Sequence, residues 1–140
     1  MIAYVDSSVL LRVALGQSDA LREWRDIDQG VSSALITVES LRTLDRLRIR
    51  AKLTDSDVAS RRATLLKMTA SLEIVEITSP VLERAASPMP TELGTLDAIH
   101  LATALLWKES EDAELVMATH DRALGIAAQA HGLAAIGIEE

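Results

Sequence analysis

One run of residues constrains this chain more than any other. From Leu96 to Trp107 only Asp97, His100 and Thr103 interrupt an otherwise apolar sequence. A helix that is apolar on nearly every face has to be buried. Gly94 breaks the chain just before the run, and Thr95 offers a hydroxyl that can cap a helix starting there. Asp97 falls in the first turn, where a carboxylate gains from the helix dipole. Helix initiation is enough to explain Asp97 alone; a chemical role needs other carboxylates at the same place.

The remaining chain alternates short apolar runs with helical patterns. Residues 2–5 read as a buried strand ending at Asp6, and Asp6-Ser7-Ser8 opens a helix closed by Gly16. A second helix is expected over 18–28, with Leu21, Trp24 and Ile27 on its apolar side, and a strand over 31–34. Residues 37–51 form an amphipathic helix: Val38, Leu41, Leu44 and Leu47 make one stripe, and Glu39, Arg42, Arg46 and Arg50 another. Thr54, with Asp57 three residues on, caps a helix reaching about Ala70. A strand over 72–77, a short helix from Ser79-Pro80, and a proline-rich break at 87–90 lead to the central helix. An acidic loop over 109–114, a strand to Ala118, a helix over 121–130 and a strand over 133–138 complete the pattern. Short apolar strands between helices indicate a parallel sheet covered on both faces.

At 140 residues, without repeats or a long linker, the chain reads as a single domain, 1–140, able to bury a core. With no Phe, one Tyr and two Trp, that core must be built from Leu, Ile, Val and Ala, with Trp24 and Trp107 as core or interface anchors. Cysteine is absent, which removes disulfide frameworks, thiolate zinc sites and thiol nucleophiles together. Asp6 ends the apolar opening with no basic segment before it, and no apolar run could span a bilayer, so a cytoplasmic protein without membrane contact is expected.

The net charge of −7 argues against a nucleic-acid partner, but its distribution is uneven. Residues 1–70 carry 11 basic and 9 acidic side chains, whereas residues 71–140 carry 3 and 12. The segment 42–67 holds 8 basic residues against 3 acidic, a strip that reads equally as a phosphate-binding face or a solvated helix face.

In an open parallel sheet, ligands bind beyond the carboxyl ends of the strands, where helices begin. Asp6 follows the first strand, Asp121 follows the strand ending at Ala118, Asp97 starts the buried helix, and Glu39 lies early in its helix. Each acid alone can be a cap or a surface partner. Together at one sheet edge they repel, and either protons or a cation must neutralise them. Oxygen-only donors suit a hard ion, Mg²⁺ or Mn²⁺, and such an ion suits phosphodiester hydrolysis. The hydroxyls of Ser7, Ser8 and Thr119 lie beside these acids, as orienting groups or as helix caps.

The blocks Tyr4-Val5-Asp6-Ser7-Ser8-Val9-Leu10, Thr37-Val38-Glu39-Ser40-Leu41-Arg42, Leu96-Asp97-Ala98-Ile99-His100-Leu101-Ala102-Thr103-Ala104 and Ala118-Thr119-His120-Asp121 resemble, in order and spacing, the four blocks of a PIN domain. Over essentially the whole chain the sequence is similar to VapC-type toxin ribonucleases of bacterial toxin–antitoxin pairs. The resemblance implies a three-layer α/β/α fold with a central parallel sheet of about five strands. It also implies Mg²⁺- or Mn²⁺-dependent cleavage of RNA, homodimerisation, and inhibition by a small cognate antitoxin protein. By position it makes Asp6, Glu39, Asp97 and Asp121 the catalytic, metal-binding acids, with Ser8 and Thr119 as polar supports. The scarcity of aromatics departs from the usual stacking grip on single-stranded RNA and leaves that task to Arg and shape.

Arg42 and Arg46 lie on roughly the same side of their helix as Glu39 and are either phosphate contacts or partners in surface ion pairs. His100, three residues beyond Asp97, is expected to pack or to support the site from behind; His120 and His131 are assigned no role. Two other readings remain. A phosphotransfer receiver domain shares the size and alternation, but it needs paired acids at the first strand and a late Lys, and no Lys follows Lys108. A catalytically inert PIN-fold binding module would not need four intact acids.

Overall fold

The computed structural model describes residues 1–138; residues 139 and 140, the end of the span read as one domain, lie outside it. Five parallel strands form one sheet: β1 (Ile2–Val5), β2 (Gln29–Ser33), β3 (Glu73–Val75), β4 (Val116–Ala118) and β5 (Ala134–Ile136), in the order β3-β2-β1-β4-β5. Tyr4 pairs with Val31 on one side and Met117 on the other, which fixes the central register. Six α-helices accompany them among the described residues: α1 (Ser7–Ala14), α2 (Leu35–Ala51), α3 (Asp55–Ala70), α4 (Ser79–Ala85), α5 (Thr95–Glu111) and α6 (Arg122–Ala130).

The side-chain alternation of β1 divides the core in two. Tyr4 joins a cluster with Leu101, Leu105, Trp107, Met117 and Leu124, from the α5 and α6 side. Ala3 and Val5 face the other way, onto Val9, Leu10, Ile36, Leu44 and Leu65 of α1, α2 and α3. The sheet is thus sandwiched between two helical layers, the α/β/α architecture expected from the sequence. The strand order also removes the receiver alternative, whose doubly wound sheet runs 2-1-3-4-5.

α5 is buried as its apolar run requires: nine of its residues, among them Ala98 to Leu105 without a break and Trp107, are buried. Several boundaries differ from expectation: α2 starts at Leu35, β2 is Gln29–Ser33, and β3 and β5 are shorter than 72–77 and 133–138. Three further differences have a physical reason. Gly94, not Thr95, occupies the extended cap position, and no side-chain hydroxyl bonds there; Thr95 lies inside the first turn, so its side chain is no longer placed to cap it. The expected acidic loop is shorter, because α5 continues to Glu111. There Glu109 accepts two hydrogen bonds from Arg84 of α4, at 2.9 and 3.2 Å, and the pair fastens the last turn. The helix expected over 18–28 is only a 3₁₀ segment, Arg22–Asp26. Leu21, Trp24 and Ile27 recur every third residue, a spacing that aligns on a 3₁₀ turn rather than on an α-helix.

Thr54 caps α3 as expected, accepting from the Asp57 N–H at 3.1 Å. Trp107 is a core residue whose Nε1 donates to Glu73 at 3.0 Å, and Trp24 packs against the α1–α3 side of the core. Among the described residues no helix is long and apolar enough to cross a membrane.

Candidate active site

The sheet changes direction of winding between β1 and β4: chain order runs outward from β1 to β2 and β3, then returns to place β4 on the other side. A crevice opens at such a switch point beyond the carboxyl ends of the strands. Asp6 leaves β1 directly into this crevice and caps α1, its Oδ1 accepting from the Ser8 N–H. Its other oxygen, Oδ2, accepts from the Thr119 hydroxyl, just past β4. Asp6 is 4 % exposed and Thr119 is fully buried, so this tie between neighbouring strands is sealed from solvent.

Thr119 works in two directions. Its Oγ1 donates to Asp6 and accepts from the Asp121 N–H at 3.0 Å. Asp121 in turn caps α6, with Oδ1 accepting from the Leu124 N–H at 3.0 Å. Ser8 closes a second link, its Oγ accepting from the His120 N–H at 3.0 Å. Of the three hydroxyls singled out in the sequence, Thr119 links Asp6 to the Asp121 backbone and Ser8 holds the His120 N–H beside it. Ser7 lies at the first position of α1, and His120 Nδ1 donates to the Gly137 carbonyl at 2.9 Å.

Asp97 arrives from the opposite layer. Because α5 runs back along the sheet to feed β4, its first turn lies at the same edge as the strand ends. Asp97 is partly buried, and its carboxyl is pushed up to about 6, first by burial and then by the charges of Asp121 and Asp6. A hydrogen bond with Asp121 adds to the rise. Three of the four expected acids therefore feel one another directly.

Glu39, in the second turn of α2, is tied instead to α5, the helix that bears Asp97. Its Oε1 is hydrogen-bonded to Nε2 of His100, and His100 Nδ1 meets the Tyr4 hydroxyl at 2.6 Å. His100 is 1 % exposed, in keeping with a packed, supporting residue. Tyr4 carried no signal of its own in the sequence: it is an apolar-looking strand residue 96 positions from its partner. Among the described residues no three acid or histidine side chains stand in a ready-made grip for a metal ion. Asp6, Glu39 and Asp121 are each held by protein donors. The donor chemistry still fits a hard cation, since the carboxylates around Asp97 are close enough to raise its proton affinity.

The two arginines behind Glu39 occupy the surface. Arg42 pairs with Asp45 at 3.1 Å, and Arg46 donates to the Thr43 hydroxyl at 3.0 Å. A separate cavity of about 450 Å³ opens beside Asp121, with Arg12, Arg122 and His120 in its wall. Nothing local in the sequence announces it, because its walls come from α1, residues 18–23, the start of α6 and the residues just after β5.

A PIN-domain family model matches residues 3–130. Ribonuclease VapC46 of Mycobacterium tuberculosis is 38 % identical over 104 residues, 72 % of each chain. Ribonuclease VapC47 of the same species is 30 % identical over 103 residues, 72 % of this chain and 73 % of that one. The crystal structure of PAE2754 from Pyrobaculum aerophilum superposes with a TM-score of 0.64 at 22 % identity, covering 96 % of this chain and 83 % of that one. A toxin–antitoxin complex from Klebsiella pneumoniae gives 0.63 at 20 % identity, covering 85 % and 86 %. The two structures speak to the fold, and the family model and the sequence relatives to the lineage. This chain belongs to the PIN-domain family, among its VapC-type members.

Proposed function

We propose that the protein is a divalent-metal-dependent endoribonuclease, the toxin of a toxin–antitoxin pair, which hydrolyses RNA phosphodiester bonds. The observation that carries this reading is the meeting of Asp6, Asp97 and Asp121 at the β1–β4 switch point, in a chain 38 % identical to a ribonuclease. Asp6, Glu39, Asp97 and Asp121 are the residues that would hold Mg²⁺ or Mn²⁺ there. When bound, such an ion supplies phosphoryl polarisation and a water of lowered pKa.

The chain's own contribution is positional. Thr119 and Ser8 fix Asp6 and the segment bearing Asp121, while the buried α5 holds Asp97 against drift. RNA phosphates are gripped by arginine: Arg42 and Arg46 are exposed, and their single local partners are weak enough to exchange. The protein partners are a small antitoxin and a second copy of the chain. Exposed apolar side chains such as Val38, 62 % exposed, and Leu82, 49 % exposed, suit contacts of that kind.

Mapping cleavage sites on total RNA, with Mg²⁺ and with EDTA, tests the activity and identifies the substrate together. Discrete new ends that require the ion are expected; an unchanged RNA population under both conditions would support an inert binding module instead. Expression of the protein should arrest growth, and co-expression of the short protein encoded beside it should relieve the arrest.

A further inference from the structure

The four acids are not anchored alike. Asp6 and Asp121 are joined through Thr119, and Asp97 lies in the field of both. Glu39 stands on α2, and among the described residues its one hydrogen-bonding partner is His100. His100 sits one turn beyond Asp97 on α5, so the same buried helix carries one acid and the partner of another.

The proton positions along this chain of contacts follow from its ends. A carboxylate can only accept, so the nitrogen facing Glu39, Nε2, must carry hydrogen. The Tyr4 hydroxyl is fully buried and, as a phenol, has one proton to donate. Nδ1 is therefore the acceptor, and the series runs one way: Tyr4 O–H to His100 Nδ1, then His100 Nε2–H to Glu39 Oε1. Glu39 Oε2 is left without a hydrogen bond among the described residues. The ring of His100 is also held edge-on to Tyr4, with centroids 5.7 Å apart at 72°.

We infer that His100 is the positioning residue for Glu39: Tyr4 on β1 locks its tautomer, and its Nε2–H ties up one carboxylate oxygen so that the other is presented to the acidic site in register with Asp97. The inference rests on the reading of Glu39 as a cation ligand. Partners that orient a ligating side chain typically change metal affinity or activity by about 10–100-fold when removed.

Two substitutions separate positioning from packing. His100→Gln keeps an amide N–H near the Nε2 position, whereas His100→Asn places its amide near Nδ1 and does not reach Glu39. In the full chain, His100→Asn is expected to weaken Mn²⁺ binding by about 10–100-fold and to lower kcat for RNA with KM unchanged. His100→Gln should restore most of both, at a melting temperature matching that of the Asn variant. Nitrogen-15 NMR of the unmodified protein should show a protonated Nε2 and an unprotonated Nδ1, and Tyr4→Phe should mix the tautomers. Equal Mn²⁺ affinity in the Asn and Gln variants, or an Nδ1-protonated imidazole, would overturn the inference; so would absence of Mn²⁺ binding by the unmodified protein. If the unmodified protein binds Mn²⁺ but cleaves no RNA, the ribonuclease reading fails, and the tautomer and Mn²⁺ affinities still decide the role of His100.

Discussion

Asp97 is a half-buried carboxyl facing two others, and its proton affinity records that crowding. In the unfolded chain it titrates near 4; in the folded protein burial, Asp121 and Asp6 move it to about 6. The protonated form is thus favoured by folding. Its contribution to stability is complete below about pH 4 and is lost as pH rises through about 6. Without a divalent cation, Asp97→Asn should therefore raise the melting temperature at pH 7 and leave it nearly unchanged at pH 4. After discounting for partial exposure the gain at pH 7 is of the order of 1 kcal/mol. Thermal melts at the two pH values check this, and equal shifts at both would contradict it. At this scale the sequence was informative for acids and hydroxyls, because Asp6 and Asp121 follow strands at once and Ser8 and Thr119 are their neighbours. It was silent on Tyr4 as a partner of His100, since nothing local in a strand residue announces a contact 96 positions away.

Helices and strands were legible wherever the apolar period was long. α5, α2 and α3 follow from their stripes and from the Thr54 cap, and the strands follow from short apolar runs between breaks. Their ends were less so: Gly94 rather than Thr95 begins α5, and an ion pair with Arg84 carries it to Glu111. Because α5 is buried without a break from Ala98 to Leu105 and Leu101 is fully buried, shortening Leu101 to Ala should cost about 2–5 kcal/mol, measured by urea unfolding. A cost below about 1 kcal/mol would mean that the helix is less constrained than its burial indicates. A second element-scale prediction concerns the turn after β5. Gly137 has φ +93° and a side chain there would meet the Thr119 carbonyl at 2.5 Å. Gly137→Ala should lower the melting temperature by several degrees, corresponding to about 1–3 kcal/mol of backbone strain. It should also slow RNA cleavage, because Thr119 is the residue that ties Asp6 to the Asp121 segment.

For the molecule as a whole, the sheet order explains why acids scattered from position 6 to position 121 can act together: β1 and β4 are neighbours, and each ends at the same crevice. The three-layer arrangement was legible from the alternation of strands and helices, but the strand order was not, because alternation alone does not say on which side of β1 the fourth strand returns. Charge is arranged at this scale too. The basic residues cluster in 42–67, on α2 and α3, while the later half of the chain is acidic. Reversing both Arg42 and Arg46 to Glu should weaken RNA binding and flatten its salt dependence, each lost phosphate contact removing about 0.7 from the log–log slope. Binding isotherms at several salt concentrations check this, and unchanged affinity and slope would assign both arginines to surface ion pairs alone. The central claim is that these carboxylates, with a divalent cation, cleave RNA. Incubating one RNA with the unmodified protein and with Asp97→Asn, each in Mg²⁺ and in EDTA, tests it most directly. Cleavage by the unmodified protein in Mg²⁺ alone, with none by a folded Asp97→Asn variant, is the expected result; cleavage that persists in EDTA, or undiminished in Asp97→Asn, would contradict it.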